Sequence, residues 1–398
     1  MTHTSTDAFG RDRVAEPHTI FDSKQLFDNQ PLLWDDSEVS GGSTTSTHST
    51  ALAASTMGVG ATTAGNRVRQ TFMRFNYQPG KSQLVMMTSV LDKSGGGTGI
   101  TRRVGLFDDN NGLFLEDAEG TYQFVRRTKT SGSVVNNAAA QSAWNIDRMD
   151  GTGVSHKTID FSKTQILFID FEWLGVGSVR MGFVIDGHVF YCHEFLNANV
   201  LDVVYMSTPN LPLRYEIDNG GTGAASTMDH ICATVISEGG SEKNGVLRYV
   251  STGGTAVAAV VANTVYAVCG VRLKSAYIGA TIDLESITLI NENSQDFECL
   301  VYLNPTVADV FTYGDETNSA VQTATGAAAN TITGGTVMSG GMVKASNQGA
   351  GSTARDLDNA LRLGSSIAGT VDEIVLAARP LAASTASFEG SIAWREIL

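Results

Sequence analysis

Two carboxylates two residues apart, Asp170 and Glu172, are the side chains of this sequence best placed to do chemistry. They lie in residues 164–195, TQILFIDFEWLGVGSVRMGFVIDGHVFYCHEF, where Leu167, Ile169, Phe171 and Trp173 alternate with Phe168, Asp170 and Glu172. A period of two puts the first set on one face of a strand and the two acids on the other. Such a pair either lines a cleft, as in an enzyme or a binding site, or forms a solvated or hydrogen-bonded polar row. Unpaired carboxylates are almost never fully buried, and burying one alone is costly. Both acids are therefore expected to be exposed or partnered.

The elements that would position them read as three consecutive antiparallel strands. Gly175-Val176-Gly177 turns the chain, Val179, Met181, Phe183 and Ile185 form the next inward row, and Asp186-Gly187 closes a tight hairpin. The same punctuation runs from about Arg67 to Ile236. Met73, Phe75 and Tyr77 alternate with polar neighbours before the turn Gln78-Pro79-Gly80, and residues 84–91 form a strand that ends at Gly95-Gly96-Gly97. Residues 104–107 and 112–115 flank Asp108-Asp109-Asn110-Asn111, a hairpin signal. Tyr122 and Phe124 continue the meander. Strands at this spacing predict a sandwich or barrel. A second block repeats the style with smaller residues: 257–268, 276–290, 299–303, the Gly- and Ala-rich 323–351, then 374–377 and 391–394. No fixed-period repeat is present, which argues against a solenoid.

Composition agrees with an all-β chain. Of 398 residues, 42% are hydrophobic, 17% are charged and 42 are glycine, a profile of short strands joined by polar turns. That length allows two cores, since domains usually hold roughly 100–200 residues. A formal net charge of −14 argues against a nucleic-acid surface, which needs clustered cations. The pairs Arg102-Arg103 and Arg126-Arg127 read as isolated, solvated positions within strands. No stretch reaches the ~18 apolar residues of a membrane span, and no apolar h-region follows the N-terminus. The expectation is a chain made without Sec export that does not insert into a membrane.

Other chemistry finds little support. Cys192, Cys232, Cys269 and Cys299 are widely spaced with apolar neighbours, so they read as buried free thiols. His156, His188, His193 and His230 show no ligand spacing, and no metal or other cofactor is expected. Asp108 to Asn111 could offer oxygens to Ca²⁺ but lack the Asp-x-Asp-x-Asp-Gly pattern, so a turn explains them more simply. No Gly-x-Ser-x-Gly, phosphate loop or Rossmann fingerprint occurs.

Residues 1–55 differ from the rest. Phe21, Leu26, Phe27, Leu32, Leu33 and Trp34 precede the Ser/Thr/Gly run 40–50, a composition that does not fold alone. They read as an N-terminal arm, either a loose leader or a segment docked on another subunit or a neighbouring domain. The expected organisation is arm 1–55, β-sandwich 56–238, linker 239–245 and a smaller C-terminal β domain 246–398.

The run Phe168-Ile169-Asp170-Phe171-Glu172-Trp173-Leu174-Gly175 resembles the catalytic strand of laminarinase-like and lichenase-like β-glucanases, with pattern Glu-x-Asp-x-Glu. The resemblance implies a concanavalin A-like jelly roll, with Asp170 at the assisting position and Glu172 at the acid/base position. Phe168 stands at the nucleophile position, where a retaining glycosidase needs a second carboxylate, so the family mechanism fails. Gly182-Phe183-Val184-Ile185-Asp186-Gly187 is similar to the strand-turn of laminin G-like and pentraxin-like jelly rolls.

The chain as a whole resembles virion structural proteins of tailed phages. Residues 77–83, 105–109 with 112–114, 173–177 and 205–212 carry that likeness. It implies a non-enzymatic virion component, a tail fibre, receptor-binding module or capsid decoration, made in the host cytoplasm. The arm would hold other virion proteins and sister subunits. The sandwich would face a host glycan, with Asp170 and Glu172 as the polar ligand-binding candidates. The alternatives are a decoration or scaffold protein with no ligand and a degraded or unusual glycan hydrolase of a phage tail.

Overall fold

Alternation of apolar and polar residues produces strands along most of the chain. The computed structural model describes residues 6–293, 295–344, 350–352, 362–382 and 385–398. These fall into two units, Met1–Glu242 and Lys243–Leu398, so the division lies within the glycine-bearing 239–245 segment.

Fifteen strands occur among the described residues of the first unit. They are β1 (Pro17–Lys24), β2 (Trp34–Gly41), β3 (Thr44–Ser49), β4 (Ala54–Val59), β5 (Ala64–Thr71), β6 (Ser82–Ser94), β7 (Ile100–Phe107) and β8 (Gly112–Ala118), followed by β9 (Thr121–Thr128), β10 (Val135–Ala140), β11 (Gln165–Phe171), β12 (Val179–Ile185), β13 (His188–Phe195), β14 (Leu213–Gly220) and β15 (Ser226–Glu238). One sheet has the order β13-β12-β11-β6-β15-β4-β3, with β1 also on β15, and the other runs β10-β9-β8-β7-β14-β5-β2. On the edge away from β6, the long β15 serves two partners in turn. Its residues 226–230 pair with β4 and its residues 232–238 with β1.

Between the sheets lies one continuous apolar core. Val85, Met87, Leu167, Ile169, Phe171, Met181, Phe183 and Val235 enter from the first sheet, and Val104, Leu106, Leu113, Leu115, Phe124, Leu213, Tyr215 and Ile217 from the second. Each such side chain contributes roughly 1.5–3 kcal/mol by leaving water. The three-strand reading of 164–195 matches β11 to β13, and Asp186 and Gly187 take the two positive φ angles, 53° and 78°, that a tight hairpin needs. Met73, Phe75 and Tyr77 form no strand. Phe75 makes an isolated bridge to Leu211, while Phe75 and Tyr77 are buried in the core.

The N-terminal arm 1–55 is corrected by this arrangement. Strands β1, β2 and β3 belong to the two sheets of the sandwich itself, and Phe21 and Trp34 are buried in its core. The Ser/Thr-rich run folds because Thr suits a pleated strand and the ladder takes up its backbone groups. It forms a corner at Gly41 to Ser43 that carries the chain from β2 in one sheet to β3 in the other. Gly41 has φ 73°, and a Cβ there would meet the Ala64 carbonyl oxygen at 2.0 Å, so glycine is required. Fully buried Arg69 ties the corner's neighbours together, donating to the Asn29 carbonyl at 2.7 Å and pairing with Asp36 at 2.5 Å.

The second unit also has two main antiparallel sheets. One holds Val246–Ser251, Val257–Ala259, Thr281–Asn291, Ala350–Ser352 and Ala386–Ile397, and the other holds Tyr266–Leu273, Phe297–Leu303, Gly314–Asp315, Val321–Thr325, Thr336–Val343 and Glu373–Pro380. Its core includes Val268, Phe297, Leu376, Phe388 and Trp394. The expected strand 257–268 is broken by a turn in which Val260 and Val261 are exposed and Asn263 has φ 61°. The expected strand 276–290 starts only at Thr281, after a short 3₁₀ turn at Ser275–Tyr277. Part of the Gly- and Ala-rich stretch 323–351, residues 345–349, lies outside the described residues.

Candidate functional site

The outer face of the first sheet carries Asp170. Across the ladder it stands opposite Arg180 of β12 and Leu84 of β6, and Leu84 in turn stands opposite Ile236 of β15. Asp170 is fully buried and fully engaged. Its carboxylate accepts the Arg13 guanidinium at 2.7 Å, the Ser82 hydroxyl at 2.9 Å and the Tyr191 hydroxyl at 3.2 Å, and it pairs with Arg180. Tyr191 reaches it because β12 and β13 are bulged between Met181 and Gly182. Gly182 has no room for a side chain there, since a Cβ would lie 1.9 Å from the Phe190 carbonyl oxygen. Phe168 packs edge-on against Tyr191, ring centroids 5.2 Å apart.

Residues 6–13 cover this spot. They turn about Asp7, whose carboxylate accepts the backbone N–H groups of Phe9 at 3.0 Å and Arg11 at 2.9 Å. The Ala8 N–H donates to the Ser82 hydroxyl at 3.4 Å, and the Ser178 hydroxyl and Arg180 donate to the Ala8 and Thr6 carbonyls at 3.2 and 3.0 Å. Arg13 then spans two acids, Asp170 and Glu238 of β15, each at 2.7 Å. A cavity of about 530 Å³ lies beside this strap, lined by strap residues and by Leu84, Ile236 and Glu238.

Glu172 lies just past the end of β11 and is engaged separately. It is half-buried and accepts the Ser178 N–H at 3.1 Å. Burial pushes its carboxyl above the usual carboxylate value. The strand stops at Phe171 because the chain turns at Leu174 and Gly175, with φ 33° and 82°. Trp173 is thus half-buried against the core, and its indole N–H donates to the Met206 carbonyl at 3.1 Å. Both predicted site residues are partnered. They share one side of the sandwich, but different donors hold them.

The two basic pairs do not form solvated faces. Arg102 is fully buried, paired with Asp117 at 2.7 Å and donating to the Ser94 carbonyl at 2.9 Å. Arg103 is held between Glu116 at 2.6 Å and Glu216 at 2.5 Å. Arg126 donates to Asn197, and Arg127 lies over the Phe114 ring at 4.9 Å. These long side chains lie along the sheet and meet acceptors there, so they are buried without being stranded.

All four cysteines are free, with Cys192 and Cys269 buried and Cys232 and Cys299 half-buried. Burial raises each thiol, Cys299 to about 11. His193 is pushed down to about 4 by burial, and fully buried His230 falls well below the ordinary value. No group of three or more His, Cys, Asp or Glu among the described residues is arranged to hold a metal ion. Asp108 caps its own turn, accepting the N–H groups of Asn110 and Asn111 at 2.8 and 2.9 Å. Among the described residues no helix is long and apolar enough to cross a membrane.

Sequence reasoning missed Arg13, Arg180, Ser82, Tyr191 and Glu238. Arg180 was within reach, since alternation from Val179 and Met181 puts it on the face opposite the core. Arg13 carried no signal, being 157 residues from Asp170.

No family model matches the chain, and no curated protein matches it in sequence. Solved structures align with part of it at low similarity. An endo-1,3-beta-glucanase from Streptomyces sioyaensis is 12% identical, with 56% of this chain and 96% of that chain covered and a TM-score of 0.35. A legume lectin-like domain from Entamoeba histolytica is 7% identical, with 54% and 96% covered and a TM-score of 0.32. The CBM2 module of the evolved Dit of Lactobacillus casei BL23 phage J-1 is 8% identical, with 56% and 96% covered and a TM-score of 0.34. Scores this low carry no argument about fold family, ligand or activity. Among the described residues the chain is almost wholly β, and its first unit is a sandwich of two antiparallel sheets.

Proposed function

We propose that this chain is a non-enzymatic virion structural protein whose first sandwich serves host attachment, presenting its surface to a host glycan or to neighbouring virion proteins. One observation carries the non-enzymatic part. Asp170 is buried beneath Arg13 and Arg180, Phe168 stands beside it in place of a carboxylate, and Glu172 is left as a single acid. Glycoside hydrolysis by the usual route needs two carboxyl groups facing one bond.

The virion reading rests on the sequence likeness carried by the four landmarks, which meet in the structure. Tyr77 packs on Trp173, centroids 6.4 Å apart, and its N–H donates to Asn210 at 2.9 Å. The Tyr205 N–H donates to the Gly175 carbonyl at 2.8 Å, and its hydroxyl to the Glu172 carbonyl at 2.7 Å. The Phe107 N–H donates to the Pro212 carbonyl at 3.0 Å. Segments scattered over 77–212 thus form one bonded end of the sandwich, a shared structural unit. A glycan site on such a fold would add aromatic stacking to a few polar groups.

Cryo-electron microscopy of purified particles tests the role. Density at a tail tip or projecting fibre is expected. Density tiled over the capsid shell would make the chain a decoration protein, and absence from particles would overturn the virion reading. β-glucan cleavage lost in Glu172→Gln would overturn the non-enzymatic part.

A further inference from the structure

The Arg13 guanidinium behaves as a ligand bound to the sheet from outside it. Asp170 and Glu238 each hold it at 2.7 Å, the Tyr191 hydroxyl accepts its other terminal nitrogen at 3.3 Å, and its carbon lies 5.9 Å from the Phe168 ring centroid. Two carboxylates, a hydroxyl and an aromatic wall suit a planar guanidinium, which is always charged and presents a rigid fork of donors. The receptor side is built into the sandwich, since Asp170 and Phe168 sit on β11, Tyr191 on β13 and Glu238 on β15.

The strap is attached much less firmly. Ala8 is the one apolar side chain of residues 6–16 that is buried, and it lies outside the continuous core between the sheets. Residues 14–18, which join it to the body of β1, are all exposed, Val14 by 90%. The cavity of about 530 Å³ lies between this connector and the apolar floor of Leu84 and Ile236. The connector therefore bridges the face without packing down on it, while Asp7 and Ala8 at the strap's far end are buried. Lifting the strap would leave Asp170 paired with Arg180, while Glu238 would lose the one cation that pairs with it among the described residues. An emptied site would thus favour another guanidinium.

We propose that Asp170, Glu238, Tyr191 and Phe168 form an arginine-recognition site that Arg13 fills in cis and that the same segment of a second copy of this chain fills in trans. A second copy presents an identical strap, so exchange preserves every contact and needs only the exposed connector to open. Exchange of an identical element between protomers is a low-cost route to association.

A labelled peptide of residues 6–16 stands in for the second copy's segment, and fluorescence anisotropy reads its binding to the full-length Arg13→Ala chain. Saturable binding is expected, at least ~10-fold tighter than to the native chain, whose tethered Arg13 competes. The same peptide with glutamine in place of arginine is expected to lose ~10-fold or more, about 1.4 kcal/mol. Equal affinity for the two peptides, or no binding to Arg13→Ala, would overturn the proposal. If Arg13→Ala does not fold, Arg13→Lys takes its place, because lysine lacks the fork that spans both carboxylates. Neither readout involves a glycan, so failure here leaves host attachment standing.

Discussion

The two outer faces of the first sandwich bury charge in opposite ways. On the β7-β8-β14 face, Arg103 stands directly across the ladder from both Glu116 and Glu216, and Arg214 links Glu216 at 2.8 Å to Asp109 at 2.7 Å. Every member of that lattice comes from a neighbouring strand or its hairpin, over the packed rings of Phe107 and Phe114, 4.5 Å apart. On the β11 face, Asp170 has only one cation within the sheet and receives its second from residue 13. Strand register alone sets the first network. The second is completed by a segment that sheet pairing does not hold, so it is the one that can open.

Asp170→Ala should break the comparison most severely. It leaves buried Arg180 without its carboxylate and Arg13 with only Glu238 of its two acids, and loss of one partner from a buried pair costs about 3–5 kcal/mol. Denaturant unfolding followed by tryptophan fluorescence would measure it. An effect under ~1 kcal/mol would mean that Arg13 and Arg180 find water or other acceptors.

Glu216→Ala should cost less, about 2 kcal/mol, because Arg103 keeps Glu116 and Arg214 keeps Asp109. The pH dependence sharpens the contrast. Burial opposes ionisation of Glu216, but Arg214 and Arg103 outweigh it and hold its carboxyl below the ordinary 4.5. Its contribution is therefore full above pH 4.5 and lost as pH falls through the depressed folded value. Glu238 is the reverse. Burial first, then Asp170, raises its carboxyl above 4.5 although Arg13 pulls the other way. Its ionisation costs stability as pH rises from 4.5 through the raised value. Glu216→Gln should flatten the stability profile below pH 4.5, and Glu238→Gln the profile just above it. The opposite assignment would refute the two-face picture.

Arg13→Ala should lower global stability by only about 1 kcal/mol, since Asp170 keeps three partners. Hydrogen exchange should rise across residues 6–13 with β11 unchanged. Glu172→Gln should be the smallest change, within about 0.5 kcal/mol, as for a half-exposed side chain with one backbone donor. A larger loss would place Glu172 in a network of its own.

Much of this fold was legible in local alternation. The inward rows of β11 and β12, the Asp186-Gly187 hairpin and the Asp108 turn follow from side-chain period and turn chemistry. The N-terminal segment misled because its polar composition resembles that of a chain that does not fold alone. In the structure it borrows existing strands, pairing β1 with β15 and β2 with β5. The buried arginines misled for a related reason. Solvation is the default for a lone charge, and only the register shows that Glu216 lies opposite Arg103.

The sequence by itself determined which residues alternate, where hairpins close, that the chain is all-β, and that Asp170 lies on the face of β11 opposite Ile169 and Phe171. These follow from stereochemistry over a few residues, where the pleat leaves no choice. Only the tertiary structure decided whether that face is open or covered. Strand order brings β6, β12, β13 and β15 around Asp170, and a strap 157 residues away seats Arg13 upon it. Burial and charge pairing are properties of distant segments meeting, and no local pattern encodes which segments meet.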